Sequence, residues 1–103
     1  MSVKKIMLVC AAGMSTSLLV SKMQQAAKDQ GIEAEIFATA VADADNQLET
    51  QKPDVLMLGP QVSYMLNEFK DKVDIPVEVI NMQDYGMMNG TKVLTTALKL
   101  ING

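Results

Sequence analysis

Two apolar runs in this chain are unbroken, Ile6 to Val9 and Val55 to Leu58, as in strands covered on both faces. Two further stretches are mixed. From Ile32 to Ala38, Ile32, Ala34 and Ile36 alternate with Glu33 and Glu35, and Val77 to Ile80 carries Glu78, which suits strands wet on one face or lying at a sheet edge. Between these stretches the apolar residues take helical spacing. A helix is predicted from about Thr16 to Gln30, with Leu19, Met23, Ala26 and Ala27 on one face, Lys22, Gln25 and Asp29 on the other, and Gly31 as its stop. A weaker one covers Val41 to Gln51, with Ala44 and Leu48 inward and Asp43 and Asp45 near the end its dipole makes favourable for acids. Gln61 to Lys72 carries Val62, Met65, Leu66 and Phe69, and Thr91 to Ile101 carries Val93, Leu94, Ala97, Leu98 and Ile101. Asn81 to Gly90, with two glycines, reads as a loop.

Strands alternating with helices require parallel strands joined by right-handed crossovers. With the two unbroken runs central and the two mixed ones outside, the predicted α/β architecture is an open four-stranded parallel sheet of order 2-1-3-4, with helices on both faces. Ligands of such sheets bind beyond the carboxyl ends of the strands, where the winding reverses. Here that point lies between the first and third strands, bringing Cys10 to Ser17 towards Gly59, Pro60 and Gln61, with Asn81 to Gly86 nearby.

Composition narrows what such a site can do. The 103 residues are expected to form one domain, 49% are hydrophobic and 20% charged, and no run reaches the ~18 apolar residues of a membrane span. Lys4 and Lys5 before Ile6 to Ala12 imitate a signal peptide, but the following amphipathic helix would lose its packing partner on cleavage. The net charge of −3 argues against nucleic acid, and all nine basic residues are lysine, so the bidentate arginine grip on phosphate is missing. There is no histidine and a single cysteine, which removes the usual zinc sets, the usual general base and any intramolecular disulfide. No metal or cofactor is expected, and a reducing cytoplasm suits the thiol.

That cysteine, Cys10, falls where strand becomes helix. Ala11, Ala12 and Gly13 are too small to shield the backbone, and successive N–H groups in such a turn converge on anions. Met14, Ser15, Thr16 and Ser17 continue into the helix start, where hydroxyls serve as caps or as further donors. A helix N-terminus favours thiolate, the nucleophilic form, and would equally favour a phosphoryl group carried on the sulfur. In most proteins a lone cysteine ending a buried strand is an inert small hydrophobe. The Gly-Met-Ser-Thr-Ser sequel argues for the reactive reading here. Gly59 and Pro60 serve first as a chain turn; Tyr85 is read as packing its ring over the loop with its hydroxyl reaching a phosphoryl group on Cys10, against the alternative of an ordinary half-buried loop tyrosine.

The segment L-V-C-A-A-G-M-S-T-S-L-L-V-S-K-M, with L-G-P-Q-V-S-Y-M at Leu58 to Met65 and Y-G at Tyr85 and Gly86, resembles the IIB component of the lactose/cellobiose/chitobiose class of the phosphoenolpyruvate-dependent sugar phosphotransferase system. The likeness runs over essentially the whole chain. It implies a phosphatase-like phosphate loop after the first strand and a phosphotransferase in which Cys10 accepts a phosphoryl group from a phosphohistidine of the IIA protein. The group then passes to a sugar bound by the membrane component IIC. Residues Ala11 to Ser17 would surround the phosphoryl group, while Gly59, Pro60, Gln61 and Tyr85 are secondary candidates from the topology and the residues themselves. The resemblance also implies a cytoplasmic protein that is not itself inserted in the membrane, and we expect a monomer. Met14, Met87 and Met88 suit an adaptable surface for two partners docking on one face.

The alternative from another class is a hydrolase of the low-molecular-weight tyrosine phosphatase type. That family requires Cys-x5-Arg, but the residue six after Cys10 is Thr16, and the chain has no Asp-Pro pair to supply the acid. A phosphocysteine lacking both should resist water yet remain transferable. A third reading, a nucleotide-binding or interaction module with an idle cysteine, treats Met14 to Ser17 as capping alone.

Overall fold

The structure is a computed structural model that describes residues 3–11 and 14–102, with Met14 and Ser15 described in the backbone only. The four strands are β1 (Lys4–Cys10), β2 (Ala34–Ala40), β3 (Val55–Leu58) and β4 (Val77–Val79), all parallel and in the order β2-β1-β3-β4. The expected topology is therefore the observed one. β1 pairs with β2 from Lys4↔Ala34 to Cys10↔Ala40 and with β3 from Ile6↔Val55 to Val9↔Leu58.

Strand parity divides the core between two faces. Ile6 and Leu8 point to one side, with Val55 and Met57, and are covered by Leu19 and Met23 of α1 (Met14–Asp29) and by Val93, Leu94 and Ala97 of α5 (Gly90–Asn102). Met7 and Val9 point to the other, with Leu56 and Leu58, under Ala44 of α2 (Val41–Gln51) and Phe69 of α3 (Leu66–Lys72). Burial on both faces explains why β1 and β3 are apolar throughout. Both α2 and β3 have the bounds that periodicity predicts.

Four expectations need correction. The second strand begins at Ala34, two residues after Ile32, because Ile32 closes the preceding helix: its N–H reaches the Ala27 carbonyl at 2.8 Å while Gly31, at φ 68°, donates to Lys28. This is a glycine-terminated helix end of the Schellman kind. Gln61 to Lys72 is not one helix. Pro60 opens a 3-10 segment, Pro60–Met65, in which Val62 leaves helical geometry at φ −117°, and regular helix begins only at Leu66. Finally, the stretch read as a loop contains α4 (Met82–Gly86), capped by Asn81, whose Oδ1 accepts from the N–H groups of Gln83 at 2.9 Å and Asp84 at 3.1 Å. The first helix also starts at Met14, ahead of the predicted Thr16, and ends at Asp29. With α4 there are five α-helices among the described residues where four were expected.

Candidate functional site

Cys10 closes β1, on the same side of the sheet as Ile6 and Leu8 by strand parity. It is only 2% exposed. Its Sγ lies 3.8 Å from the Thr39 carbonyl of the adjacent β2, to which the thiol donates a weak hydrogen bond. The neighbouring strand supplies Gly59, whose N–H donates to the Val9 carbonyl at 2.8 Å and so extends the β1–β3 pairing to the level of Cys10. A side chain at Gly59 would place its Cβ 3.8 Å from Cys10 Cβ, 3.4 Å from the Val9 carbonyl and 3.0 Å from Gln61 Oε1. Glycine here provides close approach, since its φ of −62° is ordinary. Pro60 then starts the 3-10 segment.

On the far side, Ile80 donates to the Leu58 carbonyl at 2.8 Å, bringing Asn81 and α4 to this same end of the sheet. Tyr85 on α4 is 9% exposed, and its hydroxyl shares a 3.3 Å hydrogen bond with Oγ1 of Thr16 in the first turn of α1; either hydroxyl can donate. Thr16 itself is 1% exposed.

The structure thus brings Gly59, with Gln61 behind it, beside Cys10, and separately joins Thr16 to Tyr85. Ala11 is exposed beyond Cys10, and Ser17 on α1 is exposed. Ala12 and Gly13, and the side chains of Met14 and Ser15, lie outside the described residues. Met87 is exposed as expected for a docking surface, whereas Met88 turns onto the core at φ 52°. Other exposed apolar side chains, Leu18, Tyr64 and Met82, belong to segments leaving this end of the sheet.

Two contributors were missed from sequence. Asn81, which caps the helix carrying Tyr85, left a usable signal as an Asn directly before the helical turn Met82–Gly86. Thr39 left none, because its carbonyl meets Cys10 only through β1–β2 pairing.

This arrangement defines a class of protein: an open α/β sheet with a cysteine at its switch point, ahead of a helix that begins at Met14. The chain belongs to the lactose/cellobiose-specific IIB family, since the family model described as "PTS system, Lactose/Cellobiose specific IIB subunit" matches residues 5–96. It is 58% identical over 108 residues to the cellobiose-specific EIIB component of Lactococcus lactis subsp. lactis, covering 99% of this chain and all of that protein. It is 57% identical over 108 residues to the galactose-specific EIIB component of Lactococcus lactis subsp. cremoris, with the same coverage. Among solved structures it resembles that of the cellobiose-specific phosphotransferase IIB component of Borrelia burgdorferi, with 38% identity, a TM-score of 0.80, and 98% and 94% of the two chains covered. The chain is a sugar-specific component of a phosphotransferase system, and none of its described helices is long and apolar enough to cross a membrane.

Proposed function

We propose that residues 1–103 form a single IIB domain that carries a phosphoryl group on Cys10. The observation that supports this reading best is the position of Cys10, at the carboxyl end of a central strand, between Gly59 and the start of α1. The thiolate sulfur attacks the phosphorus of a phosphohistidine on the IIA protein. The S–P bond forms as the N–P bond breaks, and the thiol's proton ends on the departing imidazole. In the second step a hydroxyl oxygen of the sugar held by IIC attacks the same phosphorus. The S–P bond breaks, the thiolate is regenerated, and the hydroxyl proton passes to solvent.

The contact between the thiol and Thr39 belongs to the resting state, since a thiolate has no proton to donate to a carbonyl. Ionisation releases the sulfur from β2 towards the loop. There the backbone N–H groups of Ala11 to Ser17 would hold the phosphoryl oxygens, and the helix dipole would favour the dianion. Gly59 presents no side chain towards Cys10, whose Cβ an added methyl would approach to 3.8 Å, and Pro60 and Gln61 follow it beside the carried group. Because the group arrives already activated, neither a metal nor a general base is needed. The acceptor class is a cellobiose-, chitobiose- or lactose-like sugar, and the protein works as a cytoplasmic monomer.

The test is intact-protein mass spectrometry after incubation with phosphoenolpyruvate, the general phosphotransferase proteins and a matching IIA, for wild type and Cys10→Ser. The expected result is one phosphoryl group on wild type, none on the variant, and discharge when membranes containing IIC and sugar are added. Unmodified wild type that hydrolyses an aryl phosphate would replace this reading with the phosphatase one.

A further inference from the structure

We propose that Tyr85 is a positioning residue: through the Thr16 hydroxyl it holds the first turn of α1, and thereby the loop that follows Cys10. The inference rests on the phosphoryl-carrier reading and assigns Thr16 a different part in it. A threonine 1% exposed, its hydroxyl engaged with a tyrosine 69 positions away, belongs to the frame beneath the loop, not to the surface that touches the phosphoryl oxygens.

The frame traces back to the sheet. Ile80 is bonded to β3, and Asn81 follows it and caps α4. Within α4 the Tyr85 N–H donates to the Asn81 carbonyl at 2.9 Å, and the Tyr85 carbonyl accepts from Met88 at 3.1 Å. Its ring packs in the cluster that contains Leu19 and Met23 of α1. A second anchor lies further along α1. At Gly90 an added Cβ would sit 2.5 Å from the Lys22 carbonyl carbon and 2.6 Å from the Met23 nitrogen, so α5 meets the backbone of α1 there.

Helix α1 is therefore pinned at Lys22 and Met23 by α5 and at Thr16 by α4. Cys10 is held in the sheet on one side of the loop and Thr16 by Tyr85 on the other. At 3.3 Å the hydroxyl pair is longer than the usual ~2.7–2.8 Å, so its contribution is orientation more than strength.

Five proteins test this: wild type, Thr16→Val, Tyr85→Phe, the double variant, and Thr16→Ser as the conservative replacement. Each is assayed for single-turnover phosphoryl uptake from phosphorylated IIA over a range of donor concentrations, for thermal midpoint, and for the phosphorus NMR shift of the phosphocysteine. Each single variant is expected to lower the limiting rate about tenfold, to move the phosphorus signal, and to leave the half-saturating donor concentration unchanged. The double variant, in which neither hydroxyl is left unpaired, should recover most of the midpoint yet transfer no faster than the singles. Thr16→Ser should restore the rate.

A Tyr85→Phe protein that is slow beside a Thr16→Val protein that is not would mean direct contact between Tyr85 and the phosphoryl group, and would overturn the proposal. Rates that simply follow the midpoints, and recover in the double variant, would also overturn it by reducing the pair to packing. If wild type is phosphorylated and Tyr85→Phe matches it, this inference alone falls. If wild type takes up no phosphoryl group, the carrier reading falls and this inference with it.

Discussion

Replacing Gly90 by alanine tests the close approach of α5 to α1. The added Cβ would lie 2.5 Å from the Lys22 carbonyl carbon, 2.6 Å from Lys22 Cβ and 2.6 Å from the Met23 nitrogen. Two of these three atoms are backbone in the middle of a helix, so no rotamer change relieves the clash and one helix must move. Overpacking of this kind costs about 1–3 kcal/mol, and the rigid partner favours the upper part of that range. Against it stands the helix preference of alanine over glycine, at most about 1 kcal/mol and less at a first helical position. The net loss is about 2 kcal/mol, or about 8–16 °C in the midpoint for a domain of this size.

Gly86 provides the opposite case, since nothing lies within 4 Å of its added Cβ. Gly86→Ala should raise stability by about 0.4–1 kcal/mol through the reduced entropy of the unfolded chain. Both variants are measured by calorimetry or circular dichroism against wild type. A Gly90→Ala protein melting at or above wild type would refute the argument that glycine is required there for contact between helices.

The second core face predicts that Phe69→Ala, at a side chain 1% exposed, costs about 3–5 kcal/mol, measurable by urea unfolding. Removing the α4 cap with Asn81→Ala should cost about 1 kcal/mol and speed amide hydrogen exchange at Tyr85, whose N–H it helps to shelter. At Gly59 an alanine needs only the flexible Gln61 side chain to swing aside, whereas valine crowds the Val9 carbonyl and Cys10; Gly59→Val should lower phosphoryl uptake far more than Gly59→Ala in the same mass-spectrometric assay. Lys72 bonds to Asp45 at 3.1 Å and pairs with Glu68 at 3.5 Å, and the hydrogen bond to Asp45 leads the causes that hold its proton above the usual lysine value of 10.5. Any stability it adds is therefore fully present below pH 10.5 and lost as pH rises beyond it. Melts of wild type and Lys72→Met should stay parallel from neutral pH to that value and converge above it, and added salt should narrow their difference.

The centre of the sheet was legible because its strands are buried on both faces, and burial on both faces is written residue by residue as Ile6 to Val9 and Val55 to Leu58. Strand order followed from charge: Glu35 and Glu78 exclude their strands from the middle. The candidate site was legible as far as Cys10, Gly59 and Tyr85 sharing one end of the sheet, since topology alone sends every βα turn there. Elements without a repeating pattern escaped. Helix α4 has five residues, too few to display a period, and the 3-10 segment after Pro60 carries apolar spacing close to that of an α-helix.

What the chain determines by itself is a set of local preferences: which runs are apolar, where glycine and proline stop them, and that the one cysteine precedes a helix. Only the tertiary structure decided the partners of those residues. Ile32 closes a helix instead of joining the strand its alternation suggested. Cys10 meets the Thr39 carbonyl, and Thr16, which reads as a cap or a phosphate ligand, is buried against Tyr85. The physical reason is that hydrogen-bond partners far apart in sequence leave no mark in the spacing of either segment; they are selected when the packing of α1 and α4 on one sheet face makes every other partner inaccessible.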